Sequence, residues 1–201
     1  MRKLLSSYRN NRLAVILLAA LVSVPLSVSP ALPAEVGGAT IPESLEIGGK
    51  SCSLAGVGIR KKFVVKVYAA GLYLENASTD PGEIIRSDQA KGMLMHFLHK
   101  KVEGEKLQQA WIDGFEANTP QSSADLQGRM DKFVSLFADD ALKGEEILMT
   151  YVPGTGTAVT IKGEVKGTIP GSDFMEALFA IWFGEKPADK GLKKGILAGA
   201  P

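Results

Sequence analysis

The segment Gly56–Glu75, GVGIRKKFVVKVYAAGLYLE, sets Arg60 close to the glycine-rich start of an otherwise apolar stretch. A guanidinium keeps its proton at every accessible pH, so a buried arginine requires an anion or several carbonyl acceptors. Two anions are open to Arg60: an Asp or Glu of the chain itself, or an acidic group on a ligand. If GVGIRKKFVVKVY runs as one flat strand, Arg60 and Tyr68 share a face by parity. A turn at Lys61-Lys62 removes that inference. Other chemistry is thin. His96 and His99 lie three apart and, on a strand, point to opposite faces, which is poor metal geometry. The lone Cys52 has no His or second Cys nearby and reads as a small strand residue rather than a reactive thiol. No Ser–His–Asp arrangement, metal set or cofactor motif is present in the pattern. Asn76-Ala77-Ser78 fits a glycosylation sequon to which no function attaches.

The elements that must position Arg60 follow from periodicity. Leu45–Leu74 reads as strands, LEIGG, KSCSLAGVGIR and FVVKVYAAGLYL, rich in Val, Tyr and small residues. Asp80-Pro81-Gly82 marks a turn or the start of a short helix. MLMHFLHK (93–100) alternates, with Met93, Met95, Phe97 and His99 on one face. At Glu103 the period changes: Leu107, Ala110, Trp111, Gly114 and Phe115 recur at helical spacing until Asn118-Thr119-Pro120. A second helix over Ser123–Phe137 carries Leu126, Met130, Phe133, Val134 and Phe137 on one side, with Ser122 or Ser123 as its N-cap. Three short strands follow in 145–169, punctuated by Pro153-Gly154-Thr155-Gly156 and Lys162-Gly163. Ser172 is expected to cap an apolar helix ending at Gly184, and Pro187 to begin a short amphipathic helix through Leu197. The expected architecture is one α+β domain over 45–201, an antiparallel sheet with helices against one face, preceded by a loose lead-in over 35–44.

Residues 1–34 stand apart. Arg2, Lys3, Arg9 and Arg12 precede an apolar run over Leu13–Val24 and then the small-residue stretch SVSPALPAE. This is the pattern of a signal peptide, cleaved after Ala34 or Ala31, and it implies export to a bacterial periplasm. Without it the chain holds 19 basic and 22 acidic residues, a net charge near −3. No basic stripe remains in the sequence to suggest nucleic acid or an anionic membrane. With one cysteine the exported domain has no internal disulfide and rests on its core.

Gly56-Val57-Gly58-Ile59-Arg60, KVYAAGLYLE (66–75), GEKLQQAWIDGF (104–115), GTIPG (167–171) and WFGEKPADKGLKKGIL (182–197) occur in the order of a known family. The chain resembles the chalcone isomerase-like family in its bacterial exported branch. The resemblance implies an open-faced β-sandwich, with the arginine of the glycine-rich motif, Arg60 here, reaching into a cleft. It also implies one of two chemistries. Chalcone isomerases close a flavanone ring by intramolecular addition, an intramolecular lyase reaction. By this likeness their threonine falls on Tyr68, their helix tyrosine on Leu107 and their asparagine on Gly114, so only the arginine matches. Fatty-acid-binding relatives hold a carboxylate with the arginine and a tyrosine on the following strand, for which Tyr68 stands here. A guanidinium grips both carboxylate oxygens and a phenol adds a third donor. The expectation is therefore non-catalytic binding of an apolar carboxylate such as a fatty acid, with Arg60 and Tyr68 at the head group. Leu107 and Trp111 are expected along the tail, with Phe115, Phe133 and Phe137 as further candidates. The alternatives are a lyase using Arg60 as electrophilic stabiliser, and a structural protein whose cleft is filled by its own side chains.

Overall fold

A computed structural model describes residues 33–199; the leader expected over 1–34 lies outside these apart from its last two residues. Two glycines start the fold. Gly37 and Gly38, with φ of 65° and 92°, turn β1 (Ala34–Val36) back on β2 (Ala39–Ile41). Only glycine adopts such angles without strain, and a two-residue loop needs them. The expected loose lead-in is thus an ordered hairpin, with Ala39 and Ile41 buried.

Strands β3 (Ser44–Ile47), β4 (Lys50–Lys62) and β5 (Val65–Leu74) follow. Helix α1 (Pro81–Arg86), capped by Asp80, leads to β6 (Lys91–Phe97) and the short β7 (Lys101–Val102). Helices α2 (Gly104–Asn118) and α3 (Ala124–Ser135) come next, then the short β8 (Ala141–Leu142), which pairs with β7. The meander is β9 (Glu146–Val152), β10 (Gly156–Ile161) and β11 (Glu164–Ile169), and the chain closes with α4 (Ser172–Phe183) and α5 (Lys190–Leu197). Seven strands form one antiparallel sheet in the order β11-β10-β9-β6-β5-β4-β3.

Alternation divides the sheet's two faces. Tyr68, Ala70, Leu72 and Leu74 of β5 and Met93, Met95 and Phe97 of β6 join the helices in the larger core. At its centre Trp111 of α2 lies 5.2 Å from Phe133 of α3 and 5.6 Å from Trp182 of α4, ring to ring. Ala69, Tyr73 and Leu94 point the other way and are covered by Ala34, Ala39 and Ile41 of the β1–β2 hairpin. Tyr73 anchors that cover by donating its hydroxyl to the Pro42 carbonyl at 2.7 Å.

Several boundaries differ from the sequence reading. The β4–β5 turn falls at Phe63-Val64 rather than Lys61-Lys62, because the ladder extends to the Lys62–Val65 pair. Strand β6 stops at Phe97, so His99 lies beyond it. Ser172 is the first residue of α4 and makes no cap; Gly171, with φ 98°, precedes it. Helix α5 begins at Lys190 instead of Pro187, with the Asp189 carboxylate accepting from Leu192 N as its N-cap.

Candidate functional site

Which face Arg60 takes is decided five residues earlier, at Ala55. Leu54 pairs with Tyr73 and Gly56 with Leu72, leaving Ala55 as an extra residue in β4. This bulge switches the strand's parity. Leu54 joins the hairpin side, whereas Gly56 and Gly58 face α5. A Cβ on Gly56 would stand 1.9 Å from the Ile196 carbonyl oxygen, and one on Gly58 2.7 Å from the Leu192 oxygen. The glycines of GVGIR therefore let α5 lie directly on the strand. Arg60 continues the same face, just past the N-terminal end of that helix.

Arg60 and Tyr68 are direct cross-strand partners. The guanidinium carbon stands 5.7 Å from the centre of the Tyr68 ring, a cation–π contact. Tyr68 itself is buried, and its hydroxyl accepts a hydrogen bond from Trp182 Nε1 at 3.1 Å. Burial raises the phenol's pKa and the Arg60 charge only partly opposes this, so Tyr68 stays neutral. Arg60 is partly buried, and among the described residues it forms neither an ion pair nor a side-chain hydrogen bond. Asp189 is the acid at this strand end, but its carboxylate is engaged by two backbone N–H groups, Leu192 at 2.9 Å and Lys61 at 2.8 Å.

Two clefts meet at Arg60. One of about 320 Å³ has Val65, Val67, Val102 and Ala110 as apolar wall, with Lys62, His99, Lys101 and Lys106 around it. The other, about 370 Å³, runs along α2 past Gln109, Asp113 and Gly114 to Lys186 and Ala188. Each has the size of a small-molecule site. Lys62, two residues from Arg60, meets Lys101 and Lys106 from another part of the chain, so the fold assembles a cationic patch. Lys101 and Lys106 are paired with Asp140 and Glu103, which leaves Arg60 and Lys62 as its charges without an ion pair among the described residues.

The structure brings Arg60 and Tyr68 together and places the other two expected site residues elsewhere. Trp111 is buried in the aromatic core, its Nε1 without a hydrogen-bond partner among the described residues, and Leu107 is buried on the same side of α2. Neither lines the clefts at Arg60. Gly114 borders the second cleft, where a Cβ would meet Ile181 at 2.8 Å. Asp189 and the valine wall were missed by sequence reasoning. Asp189 carried a usable signal, an Asp three residues before an apolar helix position; the wall carried none, because a second bulge at Val67 breaks the alternation of β5.

A family model described as chalcone isomerase-like matches residues 33–198. The chain belongs to the chalcone isomerase-like family. That family includes both isomerases and non-catalytic fatty-acid-binding proteins. Among solved structures the chain is similar to the Arabidopsis thaliana fatty-acid binding protein AtFAP1, at 20% identity, covering 80% of this chain and 92% of that one with a TM-score of 0.64. At that identity the likeness is one of fold. No curated protein matches the sequence. Among the described residues no helix is long and apolar enough to cross a membrane, and no cluster of three metal-ligating side chains occurs.

Proposed function

We propose that this protein binds an apolar carboxylate, such as a fatty acid, and that Arg60 receives the head group. The observation that carries the reading is a permanently charged guanidinium, partly desolvated at the meeting point of two clefts, with no ion pair among the described residues. A carboxylate on that guanidinium forms two parallel charge-assisted hydrogen bonds. The valine wall of the smaller cleft receives the start of the tail. Tyr68 acts beneath Arg60: its ring holds the cation in place, and it lines neither cleft. The fold of a fatty-acid binding protein supports the ligand class.

Binding is favoured over an intramolecular lyase by what stands at the corresponding helix positions. Leu107 offers no hydroxyl and is buried in the core. Gly114 has no room for a larger side chain unless Ile181 moves. An enolate formed in the cleft would find Arg60 without a second preorganised donor from these positions. In the same reading the protein is exported to the periplasm. Cleavage after Ala31 rather than Ala34 keeps the Ala34–Ile41 pair of the β1–β2 hairpin.

Native mass spectrometry of the purified protein, followed by organic extraction, tests the proposal. A lipid acid should accompany the wild type and be lost from Arg60→Ala. An empty protein that is unchanged by the substitution and binds no added fatty acid would support the filled-cleft alternative. Chalcone cyclisation above the spontaneous rate, abolished in Arg60→Ala, would establish the lyase.

A further inference from the structure

The β4–β5 hairpin ends in an unusual way. Phe63 and Val64 form its two-residue tip and are each 92% exposed, and Val65 beside them is also exposed. Phe63 has a φ of 56°, a left-handed conformation that turns commonly give to Gly or Asn. Neither side chain contributes to the core. Lys61, Lys62 and Lys66 flank the apolar tip and are exposed, and Gly56–Leu74 contains no acidic residue. An apolar point inside a ring of lysines is complementary to one kind of surface, a bilayer with anionic head groups. Phe and Val enter the interfacial region while the ammonium groups meet phosphates above it. A protein groove would bury the tip equally well, but the three lysines around it would gain from their charge only if acidic partners stood at fixed places opposite them. A fluid anionic surface supplies those partners anywhere.

We infer that residues 61–66 are a membrane-docking tip that inserts Phe63 and Val64 into anionic lipid. This proposal departs from the expectation, drawn from the sequence charge alone, that no basic stripe suggests an anionic membrane. The docking stands on the tip itself. Its consequence for transport rests on the ligand reading above: Phe63 and Val65 also line the smaller cleft at Arg60. A docked tip therefore turns the mouth of that cleft toward the bilayer. A fatty acid can then pass between lipid and Arg60 without its tail crossing open water.

Vesicle flotation tests the docking apart from ligand binding, since the vesicles contain no free fatty acid. Purified protein is mixed with phosphatidylcholine vesicles, with or without about 30 mol% phosphatidylglycerol. The wild type should float with the anionic vesicles, less so at high salt, and remain unbound with neutral ones. The double substitution Phe63→Ser/Val64→Ser should lower partitioning about ten-fold or more, as should Lys61→Gln/Lys62→Gln/Lys66→Gln, with melting temperature unchanged. Because the native Trp111 and Trp182 are buried, a Phe63→Trp variant should supply the fluorescence quenched by brominated lipid. No flotation of the wild type, or flotation indifferent to the tip substitutions, would overturn the inference. A concentration-dependent dimer that those substitutions abolish, seen by sedimentation velocity, would also overturn it by making the tip a contact between copies. Failure here leaves fatty-acid binding in solution intact, and failure of that binding leaves flotation intact.

Discussion

Gly56→Ala should unfold the contact between α5 and the sheet while leaving the composition of the clefts untouched. The new Cβ would lie 1.9 Å from the Ile196 carbonyl oxygen, where ordinary contact begins near 3.4 Å, so α5 must retreat by about 1.5 Å. The obstacle is backbone, which no rotamer change relieves. Retreat loosens Leu192 and Ile196, which are fully buried by the present approach. Their complete burial is worth about 2 kcal/mol each, and overpacking of this kind typically costs about 1–3 kcal/mol. We expect a loss of about 2–4 kcal/mol. Urea denaturation at neutral pH measures it, with Gly128→Ala as the contrast. Gly128 is exposed inside α3 with nothing within 4 Å of its Cβ position, and alanine there should add about 0.5–1 kcal/mol. If Gly56→Ala stays within about 0.5 kcal/mol of wild type, the glycines of GVGIR do not serve helix docking and the reasoning fails.

Three further outcomes are expected. Lys91 is fully buried, donates from Nζ to the Ile84 and Ile85 carbonyls at 2.6 and 3.2 Å, and has its pKa lowered by burial from 10.5 to about 8. The unfolded chain keeps this proton up to about 10.5 and the folded one releases it near 8. Stability should therefore rise by about 3 kcal/mol across that window, a rise that Lys91→Met removes; a flat urea profile would contradict this. Asp173 accepts two hydrogen bonds of 2.6 Å from Arg129, which hold its carboxyl below the ordinary 3.8. Because Asp173 is half exposed, Asp173→Asn should cost only about 1 kcal/mol, and the difference should vanish as pH falls below the ordinary carboxylate range. Tyr68→Phe leaves Trp182 Nε1 buried without its acceptor and should cost about 1–3 kcal/mol in thermal or urea denaturation, with fatty-acid affinity unchanged; weakened affinity at unchanged stability would instead put the hydroxyl on the ligand.

Legibility varied with the range of the interaction. Helices α2 and α3 were readable because Leu107, Trp111 and Phe115, and Met130 and Phe133, repeat at the helical period that burial on one face demands. The β4–β5 tip was misplaced because Phe63 and Val64 are strong strand formers, and a turn built from them carries no turn signature. The β1–β2 hairpin does carry one, Gly37-Gly38 between apolar residues, although the Gly-, Pro- and Thr-rich composition around it reads as a loose lead-in. Two features had no local signal. The Ala55 bulge fixes the face of Arg60, yet nothing in SLAGVG distinguishes it from regular alternation. The meeting of Lys61 N with Asp189 Oδ2 joins residues 128 apart in the chain. Arg60 was singled out by charge chemistry and family likeness together, whereas the cationic patch and valine wall around it exist only once the fold is closed.

The central claim is that Arg60 recognises a carboxylate. Calorimetric titration of wild type and Arg60→Ala with a long-chain fatty acid and its methyl ester isolates that contact, since acid and ester share a tail and differ in the anion. The wild type should prefer the acid by about ten- to a hundred-fold, and in Arg60→Ala the two should bind alike. Equal affinity of the wild type for acid and ester, or a preference that survives the substitution, would contradict the account.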